Sequence, residues 1–165
     1  MHFLKLCYAK KPFISFSRGN PLYRIRKASS NDFNELTKIW LEASIKAHHF
    51  IPASYWQSNI DKMQDIYLPM SEVYLAEDEN NIYGFIALLD DAIAAIFVSP
   101  DHQDKGIGRL LVTYAQEMRN RLELNVYQEN QNSVKFYQSN GFKILNEAID
   151  TATNCKEYVM FWKKL

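Results

Sequence analysis

Ala92 to Val98 reads AIAAIFV, strand length with no charge and no polar side chain. A run of that kind shows no alternation, so it predicts a central strand buried on both faces. Ser99 and Pro100 end it. Beyond a polar stretch, Ile107, Leu110, Leu111, Tyr114, Ala115 and Met118 recur at helical spacing, which predicts an amphipathic helix with Gly106 and Gly108 at its start. Upstream, Tyr23 to Ala28 alternates and reads as a first strand. Ser29, Ser30, Asn31 and Asp32 offer N-caps to a helix that carries Phe33, Leu36, Trp40, Ala43 and Ala47 on one face. Pro52 begins a second helix with Trp56, Ile60, Met63 and Tyr67 along its apolar side, and Pro69 is expected to stop it. Val73 to Glu77 and Ile82 to Leu89 read as a hairpin turning at Asp78 to Asn81, and Asp90-Asp91 returns the chain into the central run.

Downstream of the glycine helix, Leu122 to Tyr127 is a strand. A strand, helix and strand in succession make a right-handed parallel crossover, so this strand belongs beside Ala92 to Val98. Asn130 or Asn132 caps a short helix through Val134 and Tyr137, and Gly141 supplies the left-handed residue that ends it. Phe142 to Leu145 and Glu157 to Trp162 close the chain as an antiparallel pair. Tyr158 and Trp162 on that last strand either close the core or pack a partner, so monomer and homodimer both stay open.

Composition narrows this picture. A chain of 165 residues fits one domain with its own core. The basic stretch Met1 to Leu22 lacks a continuous apolar segment and a clear cleavage site, so it is expected to be an N-terminal extension to a domain spanning 23–165. The formal net charge is zero, so no global field draws in nucleic acid or an anionic membrane. No apolar run approaches membrane-spanning length. Cys7 and Cys155 stand alone, which suggests neither a disulfide scaffold nor a metal site and makes a reducing cytoplasm the simplest setting.

The candidate chemistry starts at the glycines. The first N–H groups of a helix have no internal partners, the helix dipole adds partial positive charge, and glycine lets a phosphate approach the backbone. Gln103, Lys105 and Arg109 add donors around the same turn. A Gly-x-Gly pair alone fits equally well a strand-to-helix turn that binds nothing.

The pair has company. Gln103-Asp104-Lys105-Gly106-Ile107-Gly108 resembles the Q/R-x-x-G-x-G/A pyrophosphate loop of the GCN5-related N-acetyltransferase (GNAT) family, and it follows the family's Val98-x-Pro100 strand exit. Asn130, then Phe136-Tyr137, then Asn140-Gly141-Phe142 resembles that family's N-(x)6-Y-(x)3-GF segment, in the right order and spacing. The resemblance covers Tyr23 to the C-terminus.

It implies an α/β (α+β) GNAT fold: a mixed sheet of about seven strands flanked by four helices, with two central parallel strands splayed at their C-terminal ends. It also implies an acetyl-CoA-dependent N-acetyltransferase that passes acetyl directly to a primary amine through a tetrahedral intermediate. The acceptor class stays open among a Lys side chain, a peptide N-terminus and a small amine. In this sequence the implied cofactor contacts are the backbone of Phe97 and Val98 for pantetheine and thioester, and Lys105, Gly106, Ile107, Gly108 and Arg109 with Gln103 for the pyrophosphate. Asn130 falls on the cofactor side. Tyr137 holds the general-acid position, since a phenol with a pKa of about 10 keeps its proton at neutral pH. A Tyr beside Phe136 on a short helix is otherwise an ordinary core residue. The central strand lacks the Glu that some members use as a base, which leaves that role among Glu77, Glu129, His48, Tyr127 and ordered water. His48, with His49 second to it, lies between the N-terminal helices, in a region that lines the acceptor cleft in many members. A titrating imidazole and a dipole-favoured residue at a helix end are both consistent with it. Two other functions fit the same residues: acetylation of an aminoacyl-tRNA, and a non-catalytic acyl-CoA-binding or interaction module.

Overall fold

The computed structural model describes residues 23–165. The expected N-terminal extension, 1–22, lies outside the described residues. Among the described residues, seven strands form one sheet in the order β1-β2-β3-β4-β5-β7-β6, antiparallel except where β4 meets β5. They are β1 (Arg24–Lys27), β2 (Glu72–Glu77), β3 (Ile82–Leu89), β4 (Ala92–Val98), β5 (Arg121–Tyr127), β6 (Lys143–Asp150) and β7 (Cys155–Lys163). Helix α1 spans Phe33–Ala47, α2 runs over residues 53–70, α3 spans Ile107–Met118 and α4 spans Gln131–Ser139.

Each face of the sheet has a core. Under α3 and α4, Ile107, Leu111 and Ala115 meet Ile86, Leu88, Leu122, Leu124 and Met160. Under α1 and α2, Leu36, Ile39, Trp40 and Trp56 meet Val73, Leu75, Phe85 and Ala87. The second layer stops short of the C-terminal strands. On β5 the alternation is clean, with Leu122, Leu124 and Val126 buried and Arg121, Glu123 and Asn125 exposed. One face of the C-terminal half of the sheet is therefore open.

The polar stretch before α1 is tied to β1. Asp32 accepts hydrogen bonds from the Ser29 backbone N–H at 2.7 Å and from its hydroxyl at 3.0 Å. Arg26 donates to both Asp32 carboxylate oxygens at 2.8 Å each. The guanidinium holds that carboxyl well below the usual range.

Two expectations change. Tyr67 does not join the apolar side of α2: it is 53% exposed while Leu68 is 1% exposed. The cause is a π-helical turn at Met63–Tyr67, which adds a residue per turn and rotates the buried stripe onward. Pro69 does not stop the helix either. It enters a last turn, Leu68–Met70, directly after the wide turn has already broken the ordinary hydrogen-bond ladder.

The larger correction concerns β4. It is not buried on both faces: only Ile93 is buried, Ala92 and Ala94 are exposed, and Ala95 to Val98 are half-buried. Leu88 pairs with Ile93 and Ala87 with Ala95, so Ala94 is the extra residue of a β-bulge. The bulge shifts which residues share a face. Ile93 packs with Ile96 and Val98 under α3, and Ala95 and Phe97 pack under α1. On its other edge β4 pairs with β5 only at Ala92 and Glu123, after which the two strands part. The final antiparallel pair is longer than expected because β6 is a sheet edge, where polar Asn146 and Glu147 belong as well as apolar residues. Tyr158 and Trp162 pack onto the core under α3 and α4.

Candidate active site

The parting of β4 and β5 opens a slot. Ser99 donates its N–H to the Tyr83 carbonyl at 2.8 Å, so by the alternation of an antiparallel ladder Ile96 and Val98 aim their backbone groups away from β3, into the gap. Phe97, which the sequence points to as a backbone contact, faces Phe85 across the β3 ladder. Gln103 reaches back to donate to the Val98 carbonyl at 3.2 Å, so it braces the loop as well as lining the slot.

A cavity of about 630 Å³ occupies the outer end of the slot, walled by Val98, Gln103, Gly106, Gly108, Arg109 and Phe136 among others. Gly106 is the N-cap of α3 at φ +84, and Asp104 is also left-handed at φ +61. The first helical bond runs from Leu110 N–H to the Gly106 carbonyl, which leaves the N–H groups of Ile107, Gly108 and Arg109 without helical partners. A Cβ on Gly108 would stand 3.3 Å from the Phe136 ring, so a side chain there would intrude on the cavity wall. The Ile107 side chain is 1% exposed and anchors the turn in the core. Lys105 bends onto the Asp101 carbonyl at 3.1 Å and is not part of the cavity wall. Arg109 is exposed at its rim.

A second cavity of about 300 Å³ lies further in, between β4, β5 and the ends of α1 and α2. Val98, Gln103, Asn130, Ser133 and Tyr137 line both cavities, so they stand where the two meet. Tyr137 is buried on α4, its ring edge-on to Phe136 and Phe142. Burial pushes its phenol well above the ordinary range, so it holds its proton throughout the neutral range.

Asn130 is the N-cap of α4, with its Oδ1 accepting the Ser133 N–H at 3.1 Å. That bond fixes the amide's orientation and turns Nδ2 toward His48 Nε2 at 3.2 Å. His48 therefore accepts at Nε2 and carries its proton on Nδ1. It stacks on Trp56 at 5.1 Å and meets Tyr127 edge-on. Burial lowers its pKa to about 4; the Ser44 carbonyl offsets this in part without completing a hydrogen bond to Nδ1. An imidazole so placed is neutral at pH 7, and its free lone pair is engaged. Because its folded pKa lies below the unfolded value of about 6.5, the unfolded chain binds the proton first, and stability drains away as pH falls from about 6.5 toward the folded value. NMR of the His48 ring is expected to show no titration between pH 5.5 and 8.

The other proposed bases separate. Glu77 accepts from Arg24 at 2.7 Å and lies 3.0 Å from Arg26, and it lines neither cavity. Tyr127 lines the inner cavity but donates its hydroxyl to Asp150 at 2.6 Å, and burial with that bond raises its pKa well above normal. Glu129 is exposed at the outer cavity. Two residues that sequence reasoning missed, Asn125 and Glu157, line the inner cavity. Period-2 alternation along β7 marks the face of Glu157, but only the insertion of β7 beside β5 brings it to the slot.

Residues 69–144 match the acetyltransferase (GNAT) domain family. The chain is 34% identical over 139 residues to the peptidyl-lysine N-acetyltransferase YiaC of Escherichia coli, covering 84% of this chain and 95% of that one. It belongs to the GNAT acetyltransferase family. A second E. coli relative, the peptidyl-lysine N-acetyltransferase YjaB, is 31% identical over 73% of this chain and 82% of its own. The solution structure of apo YjaB superposes with a TM-score of 0.77 at 27% identity, covering 87% of this chain and 99% of that chain. The PaiA N-acetyltransferase of Thermoplasma acidophilum, solved with coenzyme A, shares the fold at 22% identity, with a TM-score of 0.74 and coverage of 86% and 98%. As a GNAT, the chain is an acyltransferase with the seven-stranded mixed sheet its motifs imply. Among the described residues, no helix is long and apolar enough to cross a membrane.

Proposed function

We propose that this GNAT transfers acetyl from acetyl-CoA to a primary amine, with a peptide lysine as the preferred class. The observation that carries the reading is the parting of β4 from β5, with Val98 and Tyr137 at the junction of an outer cavity and an inner one. N–H groups without helical partners and left-handed Gly106 in the outer cavity fit a diphosphate. The free edge of β4 fits a pantetheine arm that pairs as an added strand would. When bound, acetyl-CoA supplies an acetyl group already activated as a thioester.

The chain's own residues do the rest. The Val98 N–H, aimed into the gap, is placed to polarise the acyl carbonyl; one well-placed donor of this kind contributes about 3 kcal/mol. Tyr137 holds a proton at the junction for the departing sulfur. Asn130, held from both sides by Ser133 and His48, keeps the wall of the slot in place. In this reading His48 positions and Tyr137 reacts. The names of YiaC and YjaB support peptide lysine as the acceptor. Among the described residues that line the inner cavity there is no lysine or arginine, which disfavours an aminoacyl-tRNA acceptor.

Acetyl-CoA at about a hundred times its dissociation constant is expected to stabilise the protein by about 2.7 kcal/mol in a thermal-shift assay. Mass spectrometry on lysine peptides incubated with enzyme and acetyl-CoA should find one added acetyl on the side-chain nitrogen. A protein that acetyl-CoA stabilises but that leaves every amine of a broad panel unmodified would be a binding module instead.

A further inference from the structure

The two cavities differ in charge. The outer one has Lys46 and Arg109 as well as Asp104 and Glu129 in its walls. With His48 neutral, Glu157 is the one charged residue among the described residues that line the inner cavity. Its position is built. Glu157 lies on β7 directly across from Tyr127 of β5, and Asn125 of β5 donates to Glu157 Oε2 at 3.0 Å. Gln128 donates to its backbone carbonyl at 3.3 Å.

From this placement the structure assigns Glu157 as the acceptor-side carboxylate, which draws the ammonium form of the incoming amine into the inner cavity and so selects cationic acceptors. The inference rests on the amine-acetyltransferase reading and adds to it the residue that recognises the acceptor. Three features favour it. One carboxylate oxygen is engaged by a neutral amide, so the charge is oriented, and among the described residues no cation pairs with it. Trp40, Trp56, Ala43 and Ile93 form an apolar part of the walls that suits the methylene stem of a lysine, and the other polar side chains there, Gln103, Asn130 and Ser133 among them, are neutral. A cationic end drawn in here arrives beside Tyr137 and Val98, opposite the anion-binding turn.

The bound ammonium must lose a proton before it can attack, and the free oxygen of Glu157 accepts that proton, directly or through water, and passes it to solvent. As the new C–N bond forms, the nitrogen becomes far more acidic and gives up a second proton by the same route, while the C–S bond breaks and Tyr137 protonates the sulfur and is reprotonated from water. Two protons leave the nitrogen, one is gained by the thiol and one is released to solvent, so charge balances over the turnover.

Glu157→Gln keeps the shape and the Asn125 contact but removes the charge. With a one-lysine peptide, the KM for peptide is expected to rise about tenfold to a hundredfold, as for loss of a charge-assisted hydrogen bond, with the KM for acetyl-CoA unchanged. Glu123→Gln, exposed on β5 and outside the inner cavity, removes the same charge and should leave the peptide KM alone. A second readout needs no turnover. In the CoA-bound protein, n-butylammonium should shift the Asn125 side-chain amide resonances, and Glu157→Gln should abolish that shift. An unchanged peptide KM in Glu157→Gln, or Asn125 resonances indifferent to n-butylammonium, overturns the assignment. Absence of acetyl transfer to any amine by the wild-type protein would instead sink the proposed function, and the n-butylammonium titration would still decide the role of Glu157.

Discussion

Tyr137→Phe is expected to lower kcat by roughly 10²-fold, the usual weight of one general acid, while the affinity for CoA and the melting temperature stay near wild type. The substitution deletes a single oxygen. The ring keeps its edge-on contacts with Phe136 and Phe142, so the packing around α4 is preserved. A hundredfold loss corresponds to about 2.7 kcal/mol of barrier, more than a neutral hydrogen bond and within reach of one that meets developing charge. Burial holds the phenol above its ordinary pKa, so transfer of its proton to a thiolate is uphill until the sulfur carries real negative charge. The proton is then available at the transition state and not before. The same shift means that Tyr137 should produce no alkaline fall in kcat below about pH 10. Steady-state kinetics of both proteins across pH, with CoA binding measured calorimetrically, tests the assignment. A variant that turns over at the wild-type rate returns Tyr137 to the role of a core residue.

The glycine turn and the Asn130 to Phe142 segment were legible because each is a local device. A helix start with free N–H groups and a cap three residues from the amide it satisfies are both written in consecutive residues. Element order was legible for the same reason, since periodicity of two or about four needs no knowledge of partners. What escaped the sequence depends on partners far away in the chain. AIAAIFV looks like a strand buried on both faces because its residues are apolar, yet they are apolar for two different reasons. Ile93 is buried in a core, while Ala95 to Val98 are only half-buried, packing on the two cores and also lining a slot that exists because β5 leaves β4 after one pair. The bulge at Ala94 has no signature in a run of small and aliphatic residues. Glu157 was illegible because its relevance comes from β7 entering between β5 and β6, a crossing that alternation along the strand cannot reveal. Glu77 erred in the opposite direction: a carboxylate in the right stretch of sequence is held by two arginines of β1.

Gly84→Ala carries the second large expected effect, and it tests how β4 is held. Gly84 lies across from Val98 in the β3 to β4 ladder. An added Cβ would stand 2.6 Å from the Phe97 carbonyl oxygen and 3.1 Å from the Val98 Cα, both backbone atoms that no rotamer change can move aside. β4 must therefore retreat from β3. Among the described residues its other edge has no ladder at that level, because pairing with β5 ended at Ala92, so the retreat goes into the slot. Overpacking of this kind costs about 1 to 3 kcal/mol, and at this chain length each kcal/mol lowers the melting temperature by about 2 to 4 °C. The functional loss should exceed the structural one. Val98 is the residue displaced, and a shift of about 1 Å in a group that positions the reacting atoms costs on the order of 10²-fold in rate. Calorimetry and acetyl-CoA kinetics on a Gly84→Ala protein that still folds should thus show a modest drop in melting temperature beside a large drop in kcat/KM for acetyl-CoA. Wild-type kinetics in that protein would mean that β4 tolerates the methyl without moving Val98, and the slot would then owe its shape to something other than the close approach of these two strands.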